Sequence, residues 1–233
     1  MFSLIMPSSA FFSASSAGLG VSIMTDHPFV ATARAAEAHL VQIEPRFAPL
    51  VDAIGPCTLL PDGDLFRGLV RAVLAQLIST AAARSITAKV EAALKNRVTP
   101  AALGKLTDEQ LQACGVSGFK RKTLRGIVEL FGASKTVGKT LLAAEDATLR
   151  ATLMDLHGVG PWTVDMVQIF CLGRADVWPV GDLGVRLAVK DVFKLRKLPD
   201  AKRLTALAKP WQPYRTVAAW YLWRTRSAVP QSA

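Results

Sequence analysis

The chain has 233 residues, 51% of them hydrophobic, with 28 Lys and Arg against 18 Asp and Glu, a formal charge of +10 at pH 7; its pI is about 9.9. That length holds one large domain or two small ones with ample core material. The charge favours a polyanion, most simply nucleic acid, over an acidic small molecule, although a basic surface also serves plain solubility. The three cysteines, Cys57, Cys114 and Cys171, lie far apart and form neither a C-x-x-C nor a zinc spacing. A sparse, odd count fits a reducing compartment, and the protein is expected in the cytoplasm. No uninterrupted apolar run reaches transmembrane length.

Residues 1–23 are rich in Ser, Ala and Phe and carry no charge, so the positive start of a secretory signal is missing. They read as a disordered leader, and ordinary sequence begins at Met24. Residues 28–42 are Ala-rich and helical in character, and Glu44-Pro45-Arg46-Phe47 through Gly55-Pro56 reads as a short helix and turn. Leu65, Phe66, Leu69, Val70, Val73, Leu74, Leu77 and Ile78 recur at helical spacing and predict a strongly apolar helix in the core. The joint Gln76-Leu77-Ile78-Ser79 follows, and Ser79 or Thr80 caps a helix that reaches Leu94. Thr99-Pro100 opens another short helix, and Thr107-Asp108-Glu109-Gln110 has capping-box spacing. The turn Gly115-Val116-Ser117-Gly118 feeds a basic helix start, Phe119-Lys120-Arg121-Lys122-Thr123-Leu124-Arg125. Cations clustered at a glycine turn, with Lys120 and Arg121 first among them, either grip phosphates or form a solvated helix face.

The stretch from Leu153 to Val192 reads as a helix, a tight turn, a second helix, a short loop and a third helix opened by Asp182, with the hairpin at about 147–171. Gly158 and Gly160 let the backbone turn where a Cβ would clash. They also leave N–H groups bare, so that a phosphate can come close. Pro161 suits the first position of the next helix, where its missing N–H costs nothing. The same pattern also describes an ordinary αα-hairpin. Lys190, Lys194, Arg196 and Lys197 continue the positive bias, Pro199-Asp200 begins a further helix, and Pro213 starts the last. No strand-like alternation persists, so the expected fold class is all-α with about ten helices.

Two runs, Leu156-His157-Gly158-Val159-Gly160-Pro161-Trp162-Thr163 and Trp178-Pro179-Val180-Gly181-Asp182-Leu183-Gly184-Val185, resemble the helix-hairpin-helix DNA glycosylases of base-excision repair. The likeness is strongest to the branch called 3-methyladenine DNA glycosylase II. That pattern is L-x-G-[VI]-G-P-W followed at a fixed distance by an aspartate, and here Asp182 lies 22 positions beyond Gly160, counted from 160 to 182. Gln76-Leu77-Ile78-Ser79 and Trp211-Gln212-Pro213-Tyr214-Arg215 also match family segments, so the likeness spans about residues 40 to 225.

The resemblance implies a region at 24–228 made of two helical lobes with a cleft between them, the hairpin at its rim and one lobe completed by both chain ends. It implies a compact form without the small β domain of larger relatives. Leu77 then matches the apolar residue that enters the gap left by an extruded nucleotide, with Gln76 beside it; a plain core leucine is the alternative. Gly158, Val159 and Gly160 become the backbone contacts to a phosphate 3′ of the lesion. A monovalent cation held by hairpin carbonyls can bridge to that phosphate; no side-chain metal ligand and no other cofactor is expected. Some relatives carry an iron–sulfur cluster on four closely spaced C-terminal cysteines, which the lack of any cysteine after Cys171 excludes. Bifunctional relatives place a Schiff-base lysine where this chain has Trp162, so strand cleavage is not expected.

Cleaving an N-glycosidic bond builds positive charge on the sugar as the base departs, and one fixed carboxylate beside C1′ stabilises it. Asp182 is the candidate, and the same residue also suits a helix N-cap; Asp155, Asp165 and Asp176 lack its register. The target base must first be flipped out of the stack. Alkylated purines are often cationic and attract aromatic faces. Among Trp162, Trp178, Trp211, Trp220 and Trp223, the first and third fall in family-matching segments. Trp162 and Trp211 are therefore the candidates for the base pocket, while core packing is the better reading of Trp220 and Trp223. The expected activity is removal of 3-methyladenine-type purines from double-stranded DNA by a monomer. The competing readings are a glycosylase for deaminated or oxidised bases, a non-catalytic helix-hairpin-helix DNA-binding protein, and an all-α structural protein with incidental charge.

Overall fold

A computed structural model describes residues 27–227. The leader at 1–23 and the tail VPQSA lie outside the described residues. The described chain is helical, with thirteen α-helices and one 3-10 turn and, among the described residues, no strand. The helices are α1 (Pro28–Ile43), α2 (Phe47–Ile54), α3 (Leu65–Ala75), α4 (Thr80–Ala93), α5 (Pro100–Lys105), α6 (Asp108–Ala113) and α7 (Gly118–Gly132). They continue with α8 (Val137–Ala143), α9 (Asp146–Met154), α10 (Pro161–Phe170), α11 (Leu183–Val192), α12 (Ala201–Ala208) and α13 (Arg215–Ser227), the 3-10 turn Lys209–Trp211 preceding the last. The count exceeds the expected ten, and α8 is a helix that the sequence reading does not place. Residues 99–113 make two six-residue helices, each opened by the threonine cap expected there, Thr99 and Thr107.

Caps set most of the boundaries. Asp64, Ser79, Ser117, Asp182 and Asp200 each accept a backbone N–H two or three residues into the helix that follows, an arrangement worth about 1 kcal/mol each. Thr107 and Gln110 complete the expected capping box reciprocally. Ser79, not Thr80, is the cap of α4.

The helices pack in two groups. In the first, α3 runs through the middle, buried along nearly its whole length and packed on α4, α7, α8 and α10. The apolar spacing from Leu65 to Leu74 accounts for this, since it leaves almost no polar face. In the second, α13 packs against α1, α2 and α11. The two ends of the described chain meet there. The Tyr221 hydroxyl donates to Glu37 Oε1 at 2.8 Å, and the Cys57 N–H donates to the same oxygen at 2.6 Å. Beneath them Trp211 meets Phe47, Trp178 and Phe193 with ring centroids 5.2–5.8 Å apart. Such aromatic pairs add about 0.5–1.5 kcal/mol each beyond area burial.

Candidate active site

The hairpin joins α9 to α10 through Leu156-His157-Gly158-Val159-Gly160. Gly158 has φ +75°, and a Cβ there would collide with Thr123 Oγ1 and stand 2.9 Å from Phe119 Cε1. Both the left-handed backbone and the close approach of α7 therefore require glycine. Gly160 differs. Its φ of −110° suits any residue, and a Cβ there would project into open space. Pro161 is the first residue of α10, and no side chain caps that helix. The N–H groups of its first turn and the positive end of the helix dipole favour an anion there. The expected contact at Val159 is corrected: its side chain is buried and its N–H donates to Leu156 O at 3.1 Å.

Leu77 leaves the end of α3 with φ +55° and is 76% exposed. A core leucine is excluded by that exposure. Positive φ in a bulky residue is strained, and here it turns the side chain out of the fold. Gln76 fixes this projection. Its side-chain amide donates to Gly158 O at 2.9 Å and to Thr163 Oγ1 at 2.7 Å, so it ties the Leu77 loop to the hairpin. Gln76 thus spends the N–H groups of its side chain on holding the loop within the fold.

Asp182 caps α11 as its sequence position foretold, with Oδ1 accepting the Val185 N–H at 2.8 Å. Two indoles complete its shell: the Trp223 N–H donates to Oδ1 and the Trp162 N–H to Oδ2, both at 2.8 Å. The residue is 1% exposed, more enclosed than a carboxylate on a cleft wall. Burial pushes its carboxyl above the ordinary aspartate range, against the opposing pull of the Trp223, Trp162 and Val185 donors. Trp223, read from the sequence as core, is thus a ligand of the acid. It sits 41 residues away on α13, stacked on Phe170 at 5.5 Å, and nothing local in the sequence marks it.

Three other expectations are corrected. Trp211 is 1% exposed inside the aromatic cluster, a core residue and not a pocket wall. Lys120 is 8% exposed; its Nζ donates to Leu74 O at 2.7 Å at the end of α3, and burial pulls its ammonium down to about 8. It braces the Leu77 loop from beneath and is not a phosphate grip. Arg121 donates to Val116 O at 2.8 Å and pairs with Asp108 at 3.4 Å, so it is tied to its own turn. A basic run beside a glycine turn could not reveal which of its cations fold inward.

Trp162 also lines a cavity of about 800 Å³ beside α10 that contains Asp165, Gln168 and Asp176 but not Asp182. Its charges are paired with one another: Arg150 with Asp165 at 2.7 Å, and Arg215 with Asp176 at 2.6 Å. Asp165 and Asp176 are therefore structural acids, and Trp162 is the residue that this cavity shares with the Asp182 shell.

A glycine hairpin with an open helix start, linked through one glutamine to a projecting leucine, places this fold among the helix-hairpin-helix proteins. A family model described as HhH-GPD superfamily base excision DNA repair protein matches residues 70–213, and the chain belongs to that superfamily. It is 33% identical over 195 residues to the alkylbase DNA glycosidase-like protein mag2 of Schizosaccharomyces pombe, covering 81% of this chain and 92% of that one. Over 201 residues it is 31% identical to the DNA-3-methyladenine glycosylase 1 of the same yeast, covering 82% and 86%. The solved structure of S. pombe 3-methyladenine DNA glycosylase Mag1 in complex with abasic DNA superposes with a TM-score of 0.76 at 29% identity, covering 85% of this chain and 100% of that one. A DNA-3-methyladenine glycosidase from Bacillus halodurans follows with a TM-score of 0.66 at 31% identity, covering 88% and 92%.

Proposed function

We propose that this protein is a monofunctional DNA glycosylase that everts alkylated purines of the 3-methyladenine type from duplex DNA and hydrolyses their N-glycosidic bonds in base-excision repair. One observation carries the reading: an unbroken line of contacts from Leu77 through Gln76 to Gly158 and Thr163, and from the neighbouring Trp162 to Asp182. This line links the residue proposed to open the duplex, the proposed backbone anchor and the proposed acid to one another in the unbound protein. The relatives named for 3-methyladenine and alkylated bases support the substrate class.

Each part has a physical task. The bare amides at the start of α10 hold a phosphate. Leu77 fills the space that the everted nucleotide leaves, offsetting part of the few kcal/mol lost on unstacking. A cationic purine is drawn to the face of Trp162, an attraction of roughly 0.5–2 kcal/mol. When the base displaces the indole N–H from Oδ2, that oxygen is freed to face C1′, while Val185 and Trp223 keep Oδ1 fixed. A carboxylate in so dry a setting stabilises an oxocarbenium ion far better than one in water. Trp162 offers no amine for a Schiff base, so water adds to C1′ as the base leaves, its proton passes to the departing base or to solvent, and the product is an intact abasic site. A monovalent cation at the hairpin would share carbonyls already in use, since Leu156, Gly158 and Gly160 each accept a protein N–H; the roles of Asp182 and Trp162 do not depend on it.

The test is chromatography of bases liberated from alkylated, deaminated and oxidised duplex DNA, wild type beside Asp182→Asn. Methylated purines are expected from the alkylated duplex. Asp182→Asn should lower release by roughly 10²-fold or more, with affinity for an abasic-analogue duplex nearly unchanged. Release that survives the substitution would remove Asp182 from the mechanism. Release only from deaminated or oxidised DNA would replace the substrate class.

A further inference from the structure

The start of α3, the end of α7, and α5 and α8 between them enclose a hollow of about 710 Å³. Its lining is apolar: Phe66 and Phe131 meet there with ring centroids 5.3 Å apart, beside Val128 and Leu142, and Leu142 is 38% exposed. A second hollow of about 440 Å³ adjoins it over α5, and the two share Thr99 and Ala101. Lys135 and Lys139 stand on the first hollow, and Lys95, Arg97 and Lys105 on the second. All five are exposed, and none makes a side-chain hydrogen bond or ion pair among the described residues. Asp64 is the single acid among the lining residues, and it is already engaged, capping Arg67 N at 3.0 Å with Arg67 Nε 3.6 Å from its other oxygen.

The groove lies at the opposite end of two helices from the hairpin. The first residues of α3 line it, while Leu77 and the Gln76 bond to Gly158 follow the last; the span is roughly 16 Å for eleven residues. The end of α7 lines it, while Thr123 near the start of that helix presses on Gly158; α7 spans about 22 Å for fifteen residues. A duplex held at the hairpin leaves this surface open. The two hollows together exceed the roughly 300–1,000 Å³ of a small-molecule site. An apolar trough flanked by unpaired cations also suits a phosphate backbone poorly, since a polyanion gains nothing from the trough. Its complement is a chain segment with apolar side chains on one face and carboxylates around them, the way an amphipathic helix lies in a groove.

We propose that this groove docks an acidic amphipathic segment of a partner protein, with its apolar residues seated on Val128, Phe131 and Leu142 and its carboxylates facing the five cations. The surface is separate from the hairpin and from Asp182, so the partner binds the protein while it is on DNA. The proposal does not rest on the glycosylase reading.

The experiment pans a phage-displayed library of random peptides, each long enough for about four helical turns, against the full-length chain. The enriched peptides are expected to carry Leu, Ile, Phe or Trp at helical spacing among Asp and Glu. One of them, fluorescently labelled, is then titrated by anisotropy. Leu142→Glu should weaken it at least tenfold, and so should Lys135→Glu combined with Lys139→Glu, with a steep loss of wild-type affinity at high salt. The exposed positions of these residues keep the variants folded, so base release and affinity for an abasic-analogue duplex should stay within twofold of wild type. The peptide should bind the protein–duplex complex as tightly as the free protein. Enrichment of no peptides, or of peptides that Leu142→Glu binds equally well, would overturn the proposal. Displacement of the peptide by duplex would give the groove to DNA, and self-association of the wild type that Leu142→Glu abolishes would give it to a second copy; either overturns the proposal. Failure of the glycosylase reading would show as absent base release with peptide binding intact.

Discussion

Asp182 is held by three donors whose balance sets its charge. Burial raises its pKa and the indoles of Trp223 and Trp162 pull it back. In the proposed mechanism the ionised form is the one that stabilises the sugar cation, so base release should rise with pH as the carboxyl deprotonates, and this rise should lie above the ordinary aspartate range. Trp223→Phe keeps the ring and deletes the N–H on Oδ1. Removing a donor that favours the charged form moves the acid limb of the pH–rate profile to still higher pH. It should also slow release at neutral pH roughly tenfold, the scale of a hydrogen bond to a charged group. Single-turnover rates over a pH series check both effects; an unmoved limb would mean that Trp223 only fills space.

The glycines of the hairpin separate folding from binding. Gly158 is left-handed and pressed by α7, so Gly158→Ala should cost about 1–2 kcal/mol from the backbone alone, with overpacking added. At this chain length that is a fall of several degrees in Tm. Gly160 has an unstrained φ and open space. Gly160→Ala should leave Tm within about a degree, yet its methyl group would stand where the proposed phosphate approaches the start of α10, and DNA affinity should fall several-fold. Thermal melting and fluorescence anisotropy on the two variants distinguish the roles. An unimpaired Gly160→Ala would place the phosphate elsewhere.

At the scale of the molecule, the excess of 28 cations over 18 anions acts as a field more than through single contacts, since Arg121, Arg125, Arg150 and Arg215 are paired within the fold. Affinity for undamaged duplex should fall linearly in log–log terms with salt, at a slope of about 0.9 per phosphate neutralised. A titration between 50 and 200 mM salt is expected to lower affinity by more than about tenfold. A flat response would mean that the surplus charge serves solubility alone. No helix among the described residues is long and apolar enough to cross a membrane.

Local patterns determined much by themselves. Most helices follow from apolar spacing and cap residues, though the uncapped α8 does not; the hairpin follows from its glycines and proline, and the placement of Asp182 at a helix start from the residues around it. These features are legible because each is enforced by atoms a few positions apart in the chain. Tertiary structure decided the rest. Lys120 turns inward to Leu74 O, Trp211 joins a core cluster, and Gln76 binds the hairpin 82 positions away. Trp223 reaches Asp182 only because α13 packs on α11. A side chain's partners depend on which surfaces the folded helices bring together, and an amphipathic pattern gives the face that is buried without naming the neighbour that buries it.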